Sequence, residues 1–152
     1  MAPQGTWLNP DGYTLRFERR EFWPWPRVWS VYRKTYWEFQ LYLAKPLTFS
    51  HQQGYYVQPD RHELETDLGS IPPPLRSLFP DTEFIRPYLL HDSAYTHHGM
   101  YMAHGPYAPF VFHEVDRAFA DELLRVSIIA DGGSRARART IWSAVRSLGV
   151  RW

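Results

Sequence analysis

Three consecutive prolines, Pro72-Pro73-Pro74, divide this chain. Each fixes its own φ and lacks an amide donor, so neither a helix interior nor a central strand can run through them. The elements before residue 72 must close there, and whatever follows must start afresh. The two sides read differently. Val28 to Phe49 reads as strand: Tyr36-Trp37-Glu38-Phe39-Gln40-Leu41-Tyr42-Leu43 puts Glu38 and Gln40 on one alternating face, and Pro46 ends or edges it. Gln53-Gly54 is a turn, and Tyr55-Tyr56-Val57 and Leu64-Glu65-Thr66 read as two more short strands. Beyond the prolines the pattern is helical. A first helix is expected from about Thr82, as N-cap, to Tyr95, with Pro87 early in it. A second is expected from His113 to Ile129 and a third from Ser134 to Ser147. Met100 to Phe110, broken by Gly105-Pro106 and Pro109, reads as a loop. The expected fold class is α+β: a small N-terminal antiparallel sheet followed by about three helices, the first two an antiparallel pair. The 152 residues are read as one domain, with 1–30 an aromatic, proline-rich arm, 31–70 the β portion and 71–152 the helical portion.

Composition narrows the chemistry. Lys plus Arg is 17 and Asp plus Glu is 16, a net charge of +1 that exerts no general pull on nucleic acid. Without cysteine there is no disulfide framework and no thiolate metal site, so any metal needs oxygen or imidazole ligands. Asp11, Arg16, Glu18, Arg19 and Arg20 rule against a secretory leader, and no uncharged run is long enough to span a bilayer. Synthesis in a cytoplasm is expected. Aromatic residues make up 17% of the chain, enough for a sticky face as well as a core. Phe22-Trp23-Pro24-Trp25-Pro26 suits an extended arm, and Trp23, Trp25 and Trp29 are its expected contacts with a partner chain. The alternative is a strand edge folded over its own core.

The candidate site lies in the helical half. Tyr88, His91, Asp92 and Tyr95 share one side of the first helix by their spacing. A neutral-pH proton carrier thus stands beside a carboxylate on a rigid element. On the second helix, Asp116 is placed with Phe119 and Ala120 toward the core, while Asp121 is grouped with Arg117 and Arg125 on a solvated face. An inward acid needs a partner, and His91 is the candidate. A carboxylate on one ring nitrogen leaves the other as base, so Asp116 would orient His91 and Tyr95 would hydrogen-bond the same carboxylate. Asp92, with Asp67 on the loop entering the helices, could then ligate calcium, and a water activated by His91 could attack an ester carbonyl. The same residues could equally form a buried polar network, with Asp67 a turn-former. His97, His98 and His104 lack regular metal-ligand spacing. Arg135, Arg137 and Arg139 are read as a solvated basic face.

His91-Asp92-Ser93-Ala94-Tyr95 followed by Asp116-Arg117-Ala118-Phe119 resembles the His-Asp-x-x-Tyr and Asp-x-x-Phe helices of phospholipases A2. That resemblance implies His91 as base, Asp92 as calcium ligand and Asp116 as the orienting acid. The bracing cysteines and the glycine-rich calcium loop of that family are missing; Asp67-Leu68-Gly69-Ser70 is the substitute. A longer resemblance covers Val57 to Gly149: Thr66-Asp67-Leu68-Gly69-Ser70-Ile71-Pro72, then the two helix motifs, then Ala144-Val145-Arg146 and Gly149. It is similar to a family of small proteins of tailed bacteriophages and prophages, catalogued as domain of unknown function 1353. This implies a phage origin among virion-assembly genes and no established activity. The expected function is therefore a virion-associated phage protein with a phospholipase-like site, acting on phospholipid with calcium and contacting other virion proteins. The alternative is a non-catalytic structural protein of tail, neck or baseplate. A metal-dependent phosphohydrolase, with His62 as a further ligand, ranks third.

Overall fold

Alternation of aromatic and β-branched residues in the first half does produce strands, and the computed structural model pairs them into two antiparallel sheets. It describes residues 5–8, 47–59, 83–105 and 107–148, together with the backbone of 13–20, 32–39 and 64–66. In chain order the elements are β1 (Gly5–Trp7), β2 (Tyr13–Arg20), β3 (Tyr32–Phe39), β4 (Phe49–His51), β5 (Tyr56–Gln58), β6 (Leu64–Thr66), α1 (Ile85–His97), β7 (Gly99–Ala103), β8 (Val111–Glu114), α2 (Arg117–Ala130) and α3 (Arg135–Leu148). One sheet has the order β1-β4-β5-β7-β8 and the other β2-β3-β6. The fold is α+β, as the pattern on either side of the prolines implies.

Three departures bear on the site. First, the N-terminal segment read as an arm contains β1 and β2. β1 pairs with β4, and Trp7 packs its ring 5.0 Å from that of Phe49. Second, the stretch read as a loop, Met100 to Phe110, contains all of β7 but its first residue and leads into β8. The breakers Gly105 and Pro109 lie in the hairpin connection rather than ending all structure. Third, α2 starts at Arg117, because His113 and Glu114 pair with Met100 and Gly99 across the hairpin. Asp116, with extended backbone, becomes the N-cap, and its carboxylate accepts the Phe119 N–H at 2.7 Å.

The passage from α1 to β7 is tight. His98 closes the helix with φ of 50°, in the left-handed region. A Cβ on Gly99 would lie 2.3 Å from the Phe112 ring, so only glycine lets β8 approach there. At the other end, Asp131-Gly132-Gly133 turns α2 into α3: Gly132 has φ of 96°, and Gly133 N–H bonds the Ile128 carbonyl. Ser134 Oγ then accepts the Arg137 N–H as a cap for α3.

Two apolar clusters hold these elements together. Phe84, Tyr88, Leu124, Ile128, Ala138, Ile141 and Val145 join the three helices. Phe49, Val57, Leu90, Ala94, Met100, Ala120, Leu123 and Val126 join α1 and α2 to the five-stranded sheet. Each large side chain fully buried in this way contributes about 1.5–3 kcal/mol. α2 therefore has one apolar stripe toward the sheet and another toward α3. Three contacts set the direction of the helix pair: Arg86 meets Asp131, His91 meets Asp121 and Tyr95 meets Arg117. The numbers rise on α1 as they fall on α2, so the helices are antiparallel. No described helix is long and apolar enough to cross a membrane.

Candidate functional site

Between the two apolar clusters lies a polar layer. His91, on α1, is 1% exposed, and Asp121, on α2, is fully buried. His91 Nε2 stands 3.0 Å from Asp121 Oδ1. The Tyr95 hydroxyl donates to that same oxygen at 2.6 Å, and the His91 and Tyr95 rings lie 4.2 Å apart, as one helical turn allows. The other carboxylate oxygen, Oδ2, accepts from Arg146 Nη1 at 3.3 Å and has Arg117 Nε at 3.6 Å. Arg117 also donates to the Tyr95 hydroxyl at 3.1 Å and to the Val145 and Arg146 carbonyls near the end of α3. One buried carboxylate thus gathers groups from all three helices.

The tautomer follows from the geometry. A carboxylate only accepts, so Nε2 carries the proton and Nδ1 is the nitrogen left for chemistry. Nδ1 faces Asp92 Oδ1 at 3.8 Å, beyond hydrogen-bond length, and the Asp92 side chain is 9% exposed. Burial by itself would lower the His91 pKa; the hydrogen bond to Asp121 and the negative charges of Asp92 and Asp121 outweigh it and hold the imidazole above its usual value. Asp121 is the reciprocal case. Burial works to raise its carboxyl, but bonds from His91, Tyr95 and Arg146 and the imidazolium charge keep it below the usual carboxylate range. The Tyr95 phenol is pushed up to about 12, first by burial and then by the Asp121 carboxylate it serves.

The expected site is therefore corrected at one position. His91, Tyr95 and Asp92 come together, but Asp116 does not join them: it is exposed and occupied in capping α2. The acid bonded to His91 is Asp121, assigned from sequence to a solvated face. That face is instead covered by Tyr95 and by the end of α3. The signal was present, because Asp121 lies three and seven residues before Leu124 and Ile128, both core residues. Arg117 and Arg146 were missed as members of the layer. Asp67 and His62 lie outside the described residues, as do Trp23, Trp25 and Trp29. β6, which ends at Thr66, runs against α1.

Among the described residues, no three His, Asp or Glu side chains are grouped to hold a metal ion. Asp92 offers one carboxylate, so the described residues do not by themselves make a calcium site. A cavity of about 260 Å³ between the β4–β5 turn and α2 is lined by His51, Tyr55, Phe119, Glu122 and Arg125 among others, and His91 is not part of its wall.

A family model described as a protein of unknown function, DUF1353, matches residues 41–145. The match takes in α1, α2 and most of α3, and so every residue of the polar layer except Arg146. No curated protein and no solved structure matches the chain.

Proposed function

The chain belongs to the DUF1353 family, whose description carries no activity, and from that premise we propose that it is a phage-type, virion-associated hydrolase of lipid esters, with His91 as general base and Asp121 as its orienting acid. The observation that carries this reading is the double occupation of one oxygen: Asp121 Oδ1 receives both His91 Nε2 and the Tyr95 hydroxyl. A His-Asp-x-x-Tyr helix packed on an antiparallel helix with a buried acid is the arrangement a water-activating histidine needs, because it fixes ring orientation and tautomer before substrate arrives.

In the reaction, Nδ1 of neutral His91 takes a proton from water as the oxygen attacks the ester carbonyl. The tetrahedral intermediate expels the alkoxide, which takes the proton back from the imidazolium, giving carboxylic acid and alcohol. Asp121 stays ionised and stabilises the imidazolium while it lasts. Tyr95 and the two arginines keep Asp121 ionised and in place. Because its carboxylates favour the protonated ring, the base is created only as pH rises through a His91 pKa above the ordinary value near 6.5. Hydrolysis is therefore expected to increase across the neutral-to-alkaline range, following one deprotonation.

A second reading is favoured by the 1% exposure of His91: the layer is a non-catalytic clasp in a structural protein of the particle. Two variants separate the readings. His91→Gln keeps hydrogen-bonding capacity but cannot act as a base near neutral pH, and Asp121→Asn keeps the shape of the acid. With phospholipid as substrate, each variant that retains its fold is expected to lose at least ~10²-fold in rate. Undiminished hydrolysis by His91→Gln, or no wild-type hydrolysis of any glycerophospholipid tested, sinks the catalytic reading and leaves the clasp.

A further inference from the structure

The hairpin of β7 and β8 is the whole connection between the two helices that carry His91 and Asp121. β7 starts two positions after the last residue of α1, and β8 ends three positions before the first residue of α2. The sequence Gly105-Pro106-Tyr107-Ala108-Pro109-Phe110-Val111-Phe112 carries no charge, and its described residues lead round the connection into β8. The four large apolar side chains most open to solvent among the described residues are Leu8, Tyr107, Val111 and Phe112. Three of them stand here: Tyr107 is 98% exposed, Val111 54% and Phe112 41%. β8 is exposed along its full length and forms one edge of its sheet. Val111 and Phe112 are neighbours on a strand, so they project to opposite faces. Phe112 lays its ring back over Gly99, so the hairpin is apolar on both faces while its tip presents Tyr107 and Val111.

We infer that this hairpin tip seats the protein on a phospholipid bilayer, with Tyr107 and Val111 entering the interfacial region. The inference rests on the proposed lipid-ester hydrolysis for its purpose, since the hairpin that would hold the membrane joins the two helices carrying His91 and Asp121. The chemistry of the tip favours lipid over protein. Three large side chains fall far short of the roughly 20–30 residues a side that a stable protein interface uses. A bilayer asks less, because a few aromatic and aliphatic groups suffice to partition into the headgroup region, where tyrosine is enriched. A charge-free tip also has no reason to prefer anionic lipid.

Co-sedimentation of the full chain with phosphatidylcholine vesicles tests this. Wild type is expected to sediment with vesicles to the same extent at low and high salt. Tyr107→Ser/Val111→Ser, altering exposed positions only, is expected to bind about tenfold less or weaker still, with an unchanged melting curve in the absence of lipid. His91→Gln is expected to bind like wild type. Wild type that stays in the supernatant, or a double variant that binds equally well, overturns the inference. So does a lipid-independent, concentration-dependent dimer that the double variant abolishes, which would assign the tip to a second copy. The two claims fail separately. Binding without hydrolysis removes the catalytic reading alone. Hydrolysis of vesicle phospholipid at equal rates by wild type and double variant removes the hairpin inference alone.

Discussion

The antiparallel pair of α1 and α2 has two regions built from opposite chemistry. Toward the start of α1, Phe84 and Tyr88 meet Leu124 and Ile128 in an apolar cluster closed by α3. Two turns further on, His91 and Tyr95 meet Asp121 in a layer of charges and hydrogen bonds closed by Arg117 and Arg146. Both regions are buried between the same helices. The apolar region draws its stability from area removed from water, in proportion and without regard to pH. In the polar region large desolvation costs are offset by matched partners, so its net contribution is small but its tolerance for a missing member is low. The first region explains why the helices pack, the second why they pack in one register with one histidine facing one acid.

The largest effect should come from unbalancing the polar region. Asp121→Ala leaves the His91 imidazolium and the Arg146 guanidinium without their shared acid, and the expected loss is about 3–5 kcal/mol. Chemical denaturation at pH 6 measures it. A loss under ~1 kcal/mol would mean that water already shares the layer.

Leu124→Ala removes a fully buried side chain from the apolar region. The expected cost is about 2–5 kcal/mol, set by how far the neighbouring helices can relax into the gap. Unlike the first, this cost should be the same at pH 5 and pH 8. A marked pH dependence would show that the two regions are coupled rather than adjacent.

How far these regions were legible in the sequence follows the same division. The apolar stripe of α2 could be read from Ala120, Leu123 and Leu124, because periodicity reports what water avoids. The strands before the prolines, the three helices after them, the turn at Asp131-Gly132-Gly133 and the start of α3 were legible because prolines, glycines and caps act locally. The identity of the acid was not. Asp121 between Arg117 and Arg125 has the local look of a solvated face, and only the arrival of α3 turns that face inward. The β7–β8 hairpin was hidden for a related reason. Strand pairing is a nonlocal gain, and the glycine and prolines near its tip masked it. Without β8, helical periodicity extends the second helix back to His113 and takes in Asp116, which in the structure is its N-cap.

His91 gives the pH signature of the polar region. Its folded pKa lies above the ordinary value, so the stability it contributes is fully present below about pH 6.5 and is lost as pH rises through the folded value. Asp121, held low, contributes stability above about pH 3.9 that is lost as pH falls through its own folded value. The pair therefore stabilises most in the mildly acidic range between. His91→Gln is expected to cost about 1–3 kcal/mol at pH 5.5, through an imperfectly matched buried partner, and less at pH 8.5. Melting curves of wild type and variant across that range give the difference directly, which cancels titrations common to both, such as that of His51. A gap that widens with pH would reverse the assignment.

The smallest effect sharpens the comparison most, because it concerns two aspartates five residues apart on one helix. Asp116 accepts the Phe119 N–H at 2.7 Å from an exposed cap position, and it touches none of the polar layer in the described contacts. Losing a cap costs about 1 kcal/mol, and its position at the positive end of α2 adds only a few tenths more. Asp116→Ala should lower stability by about that much, and Asp116→Asn, which still accepts the bond, by less. Neither should change hydrolysis or the pH dependence of stability, whereas Asp121→Asn should change both. If Asp116→Asn abolished hydrolysis while Asp121→Asn left it intact, the working acid would be the one sequence spacing first indicated, and the buried layer would be structural alone. Equal, small effects from both asparagines would instead detach the histidine's chemistry from either acid. The geometry makes neither outcome the expected one: the Asp116 carboxylate is engaged by the first turn of its own helix, and the acid bonded to His91 Nε2 is Asp121.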